Sequence, residues 1–217
     1  MEAMRVIRSG DERGVALLMA LVTAALVTAV ATTMVMSSST DLLITGSNRA
    51  AAETMYAAEA AAHRAMGELA WIADWGTVLA TPPANVVASF DDGLSTVKTA
   101  DGLVLSIAGL ATMRQGMSER AYGPAAFGGD SPVWRLFGHA EVRALLPPGV
   151  ASPPGYVLIW LADDGGDGDA DPAADANGQL LVHVDAYGVS GAHRSVELAV
   201  ARVTPGTIRV LSWKDPR

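Results

Sequence analysis

A chain of 217 residues with a formal net charge of −8 has room for one domain and an anchor, or at most for two small domains. The acidic balance excludes a nucleic-acid backbone as partner for the body as a whole. The absence of cysteine excludes disulfides, thiol catalysis and zinc–thiolate centres. With 50% hydrophobic residues and a positive mean hydropathy, the composition points to a membrane segment.

That segment is residues 15–36, which carry no charge. As a helix the run spans about 33 Å at ~1.5 Å per residue, close to the ~30 Å hydrocarbon core of a bilayer. Thr23, Thr28, Thr32 and Thr33 cost little there, because each hydroxyl can return to a backbone carbonyl of the preceding turn. Arg5, Arg8 and Arg13 precede the run and the next basic residue is Arg49, so the N-terminus is expected in the cytoplasm and the body outside. Three readings fit the hydropathy. One is an uncleaved single-pass anchor. The second is a secretory signal cut after Ala29-Val30-Ala31, although its apolar stretch exceeds the usual ~7–15 residues. The third is a short charged leader ending in Gly14, directly before Val15.

The helical pattern continues beyond the apolar run. Ser37-Ser38-Ser39-Thr40-Asp41 is polar but free of Pro and Gly, and residues 49–75 are rich in the helix formers Ala, Glu and Met. Met55, Ala58, Ala62, Met66, Leu69 and Ala73 recur at spacings of three or four and form one apolar stripe. Gly46 is the weakest point, and Ser47-Asn48 offer a restart. Gly76 and Pro82-Pro83 are the stop signals. Trp71 and Trp75 near the helix end are expected in the core. Glu59 reads either as a contact across a subunit interface or as an ordinary exposed helix glutamate.

Arg13-Gly14-Val15-Ala16-Leu17-Leu18-Met19-Ala20-Leu21 resembles the start of PilX-type minor pilins of type IV pili. Ile44-Thr45-Gly46-Ser47-Asn48-Arg49 followed by Tyr56-Ala57-Ala58-Glu59-Ala60 is similar to a second stretch of that family. The likeness covers residues 12–65. Downstream it is limited to Ala186-Tyr187-Gly188, Ala192-His193-Arg194-Ser195-Val196-Glu197 and Ser212-Trp213-Lys214. It implies that a prepilin peptidase cuts between Gly14 and Val15 and methylates the new amine. The apolar helix would then sit in the inner membrane before packing with other pilins in a filament core. Most major pilins carry glutamate at the fifth mature position, where this chain has Met19. That glutamate can neutralise a neighbour's terminal amine, and an unpaired buried charge is costly. The K pseudopilin of type II secretion shares its absence, which suits a tip or priming subunit better than a shaft unit.

Past residue 76 the pattern changes to period two. Residues 95–99 and 103–107 flank Asp101-Gly102, a hairpin turn signal. Further strands are expected at 133–138, 156–162, 179–187, 195–203 and 207–213, with Gly- and Pro-rich loops at 117–132 and 147–155. Residues 82–90 carry no clear pattern. Along 179–187, Leu180, Val182, Val184 and Ala186 share one face, and His183, Asp185 and Tyr187 share the other. One helix-facing and one wet face is the expected antiparallel arrangement. The fold class is therefore α+β and pilin-like. It comprises a leader (1–14), a transmembrane helix (15–36), its extension docked on the body (37–76) and an antiparallel β-sheet body (77–217).

One loop is strongly acidic. Asp163, Asp164, Asp167, Asp169, Asp171 and Asp175 fall close together and repel one another unless solvated or neutralised. Calcium takes 6–8 oxygen ligands from such groups. Counting from Asp167, aspartates fall in the third, fifth and ninth places of an EF-hand frame. Pro172 then replaces the turn glycine and Gly178 the bidentate glutamate, so the loop is not an EF-hand. It reads either as a solvated loop or as a weak calcium site.

No nucleophile elbow, P-loop or dinucleotide fingerprint occurs. The four histidines are scattered, and no serine is nominated as partner to His183 and Asp185. The pair reads as an exposed polar strand face, and the chain as a non-enzyme. The competing expectation to a filament subunit is a membrane-tethered or exported calcium-dependent binding or adhesion domain.

Overall fold

The computed structural model describes residues 10–80, 88–99, 101–122 and 131–216. Residues 1–9 of the expected leader, most of the unassigned 82–90 stretch and the centre of the 117–132 loop lie outside the described residues. The chain forms two compact units, Met1–Gly46 and Ser47–Arg217.

The first unit is helical throughout its described residues. It belongs to α1, Gly10–Leu69, whose helical hydrogen bonding continues across Gly46. Val15, Leu17, Leu18, Leu21, Leu26 and Met34 are all exposed. The hydroxyls of Thr23, Thr28, Thr32 and Thr33 each donate to the carbonyl four residues back at 2.8 Å, as an apolar surrounding requires. Among the described residues this one helix is long and apolar enough to cross a membrane.

In the second unit the later turns of α1 pack on a five-stranded antiparallel meander. Its strands are β3 (Arg135–Glu141), β4 (Tyr156–Asp163), β5 (Gln179–Tyr187), β6 (His193–Thr204) and β7 (Thr207–Lys214), in spatial order of sequence. The helix face is almost all alanine. Ala57, Ala58, Ala61, Ala62 and Ala65 are buried with Leu69 against Val157, Ile159, Leu161, Val182, Val184, Val196 and Leu198. Small side chains let the helix backbone approach the sheet closely. Ala58, Ala62 and Leu69 of the expected stripe are fully buried and Met55 and Met66 pack against the same core, partly buried; the seam also takes in Ala57, Ala61 and Ala65, and Ala73 is exposed. Gly188 sits where a Cβ would collide with Thr54 of α1, so the turn after β5 can approach the helix only as glycine.

The helix ends at Leu69, earlier than its composition suggests. Trp75 folds back beneath the last turn, fully buried, and its indole N–H donates to the Leu69 carbonyl at 3.0 Å. The Arg202 guanidinium lies 4.2 Å from the Trp75 ring centre and donates to the Ala73 carbonyl. Trp71, expected in the core beside Trp75, is 82% exposed, because the chain has left the helix before reaching the sheet. A short helix follows, α2 (Gly76–Leu79), with Val78 and Leu79 buried.

The hairpin forms as read, β1 (Thr96–Lys98) against β2 (Val104–Ser106), with Gly102 at φ +88° in the turn. Residues 107–122 depart from expectation. Ile107–Tyr122 is a helix, α3, so 117–122 are not loop. With Gly109 and Gly116 inside it, intrinsic propensity is poor, and burial of Ile107 with partly buried Leu110 and Ala111 supplies the support. The hairpin and α3 contribute to a second core over the outer face of the sheet, with Trp134, Tyr156, Leu158, Trp160 and Ala162. That face is covered, not wet.

The alanine seam gives a test. Ala62→Leu, at a fully buried position, is expected to destabilise the second unit by about 1–3 kcal/mol through overpacking. Ala52→Leu, on the exposed side of the same helix, should stay within about 0.5 kcal/mol. Urea unfolding followed by tryptophan fluorescence compares the two.

Candidate functional site

Two clusters of titratable side chains stand out in the second unit, one at the end of β4 and one across β5, β6 and α3.

The first is the acidic loop joining β4 to β5. Of its six aspartates, Asp163, Asp167 and Asp169 converge, each placing a carboxylate oxygen within 4.8 Å of the others. Asp163 is the last residue of β4 and is fully buried. The other three carboxylates are engaged in shaping the loop. Asp164 accepts from the Asn177 amide at 3.0 Å, Asp171 from the Ala173 N–H at 3.0 Å, and Asp175 from the Gly178 and Gln179 N–H groups at 2.7 and 3.2 Å. Burial, with the charge of Asp167 behind it, pushes the Asp163 carboxyl up to about 7. The Asp164 amide draws it partly back, but neither Asp163 oxygen takes a hydrogen bond of regular geometry.

The second cluster centres on Asp185. The strand register sets Asp185 opposite Ser195, His183 opposite Glu197 and Tyr187 opposite His193. Asp185 Oδ1 meets His183 Nε2 at 3.2 Å and His193 Nε2 at 3.1 Å, and accepts from Ser195 Oγ at 2.8 Å. Its Oδ2 accepts from Trp160 Nε1 at 3.1 Å. Burial would raise its pKa, but the histidine and serine hydrogen bonds outweigh that and hold the carboxyl well below the usual range. His183 is buried and its Nδ1 lies 3.5 Å from Glu197 Oε2. Burial pulls its pKa down and the two carboxylates more than restore it, so the net shift is upward. Arg114 of α3 meets His183 Nε2 and packs 5.6 Å from the Trp134 ring centre. A cleft of about 570 Å³ opens beside the cluster, lined by Met113, Met117, His193, Arg194 and Ser195 among others.

The expectation of an exposed His183–Asp185 face is therefore wrong: α3 and Trp134 cover it. A serine does reach the pair, yet Ser195 donates its proton to Asp185 and not to an imidazole, so the order of a Ser–His–Asp relay is not assembled. The signal in the sequence was period two on both strands, His183-x-Asp185 and His193-x-Ser195-x-Glu197. Nothing marked Arg114, which comes from the unanticipated helix.

The remaining expected site residues lie on α1. Gly14, Val15 and Met19 are exposed in the first unit, and Glu59 is half-buried beside the alanine seam. No protein-family model, curated protein or solved structure matches this chain.

The Asp185 cluster gives a signed pH dependence. A raised His183 pKa stabilises the fold fully below about 6.5, and this is lost as pH rises through the folded value. A depressed Asp185 pKa stabilises above the usual carboxylate range and is lost as pH falls through its folded value. The pair therefore contributes most between the two. The urea midpoint should fall as pH rises above about 6.5, and His183→Gln, which keeps a donor for Asp185 but cannot titrate, should flatten that fall. Asp185→Asn should cost about 3–5 kcal/mol, since it removes the carboxylate on which the buried His183 and Trp160, together with His193 and Ser195, converge.

Proposed function

We propose that this chain is a non-catalytic pilin-like subunit, acting in the assembly, priming or tip of a type IV pilus or of a related secretion filament. The observation that carries the reading is α1 itself. Its apolar stretch from Val15 to Met36 is uncharged and exposed, and its later turns, from residue 47 onward, dock by an alanine face on an antiparallel sheet. A helix apolar on all sides is stable in lipid or among similar helices, so its natural companions are the bilayer and the matching helices of other pilins.

In this reading the chain is held in the inner membrane with its N-terminus in the cytoplasm and its body outside. A prepilin peptidase cuts between Gly14 and Val15, and the new amine is methylated. Met19 then stands where a shaft pilin would offer a carboxylate, so this subunit brings no partner for a neighbour's terminal amine. That asymmetry favours an end of the filament over its repeating length. Glu59, half-buried on the helix, is a candidate contact with an adjacent subunit.

The test is the intact mass and N-terminal residue of protein purified from native membranes. The expected start is methylated Val15, with processing abolished in Gly14→Val. A start at Met1 or Thr32 would remove the filament reading and leave a tethered or exported binding domain.

A further inference from the structure

Asp163 is a physical anomaly. It is fully buried, and neither of its carboxylate oxygens has a regular hydrogen-bond partner. A buried carboxylate without donors or a counter-charge costs several kcal/mol in general. Proteins relieve that cost by protonation, by pairing or by coordinating a metal. Pairing is not the solution here. The groups that share its space are Asp167 and Asp169, whose oxygens lie within 4.8 Å, and one Asp167 oxygen is itself buried without a partner. The other Asp167 oxygen accepts from the Ala176 N–H at 3.1 Å, and Asp169 Oδ1 accepts from the Asp171 N–H at 2.8 Å. These bonds hold the two loop carboxylates in place facing Asp163.

We propose that Asp163, Asp167 and Asp169 bind one calcium ion, which closes the loop between β4 and β5. Hard oxygen donors exclude a preference for soft metals. Three crowded carboxylates, one at the end of β4 and two on the irregular loop that follows, suit calcium, which accepts 6–8 oxygens in irregular geometry, better than magnesium, which demands a near-ideal octahedron and keeps most of its water. Water and loop carbonyls complete the shell. Asp164, Asp171 and Asp175 lie outside the converging group of three, and their hydrogen bonds shape the loop around it. The site couples directly to the fold, since Asp163 pairs with Leu180 at the end of the β4–β5 ladder. The inference does not rest on the filament reading and survives its failure.

The experiment is thermal unfolding of the full chain in detergent at neutral pH, read by near-ultraviolet circular dichroism of its five tryptophans, in EDTA, in calcium chloride and in magnesium chloride. Calcium at about 10 mM should raise Tm by roughly 3–10 °C for a site of ~0.1–1 mM affinity, and magnesium by much less. Asp163→Asn should remove the calcium response while leaving Tm in EDTA unchanged or higher, since it deletes an uncompensated buried charge. Asp169→Asn, at the exposed position, leaves the buried group intact and should weaken calcium binding about tenfold or more by calorimetric titration. No calcium response in the wild type, an equal response to magnesium, or a response retained in both variants would overturn the assignment.

Discussion

Everything in the second unit depends on how closely α1 approaches the sheet. Alanine at five positions of one helical face brings backbone against the Val, Ile and Leu side chains of β4, β5 and β6. Leucine at the same positions would add buried area but push the helix outward. Close docking has consequences at both ends of the contact. At one, Gly188 must lack a Cβ to pass Thr54. At the other, Trp75 fills the space under Leu69 and takes its carbonyl, so the helix stops where the sheet ends. Arg202 and Gly206, from β6 and the turn that follows it, bond the carbonyls of Ala73 and Ala70 and tie the departing chain to the last hairpin.

The two aspartate clusters show one residue type under opposite conditions. Asp185 is surrounded by donors on two strands and a tryptophan, so its charge is compensated where it lies. It joins β4, β5 and β6 and, through His183, meets Arg114 of α3. Asp163 is as buried as any residue in the core, but its neighbours are of like charge. The carboxylate at the centre of the first cluster finds its donors within the protein. The second is incomplete, and its chemistry calls for a cation.

The covering of the outer sheet face changes what the body can present to others. With the hairpin and α3 over β3, β4 and β5, the exposed strand is β7, at the edge of the sheet, where Val210, Leu211 and Trp213 remain partly accessible. Among the described residues, exposed apolar side chains lie along the membrane-length stretch of α1 and along this edge, and also at Trp71, at Leu103 and Val104 of the hairpin and at Met113 and Met117 of α3.

Local chemistry was legible in the sequence wherever it decided the outcome alone. The uncharged run from Val15 to Met36, the alternation along β5 and the Asp101-Gly102 turn all reappear in the structure, since hydropathy, strand period and positive φ act over a few residues. The acidic loop was also visible as a cluster. Which of its carboxylates converge was not, because that depends on where β4 ends and on the turns made by Asp171 and Asp175. Tertiary packing alone decided the rest. It added Ala57, Ala61 and Ala65 to the helix seam, ended α1 at Leu69 and left Trp71 outside. It also made a helix of residues 107–122 despite two glycines. That helix converted His183 and Asp185 from a wet face into a covered, hydrogen-bonded pair, because burial belongs to the partner that arrives from elsewhere in the chain, and no local pattern carries it.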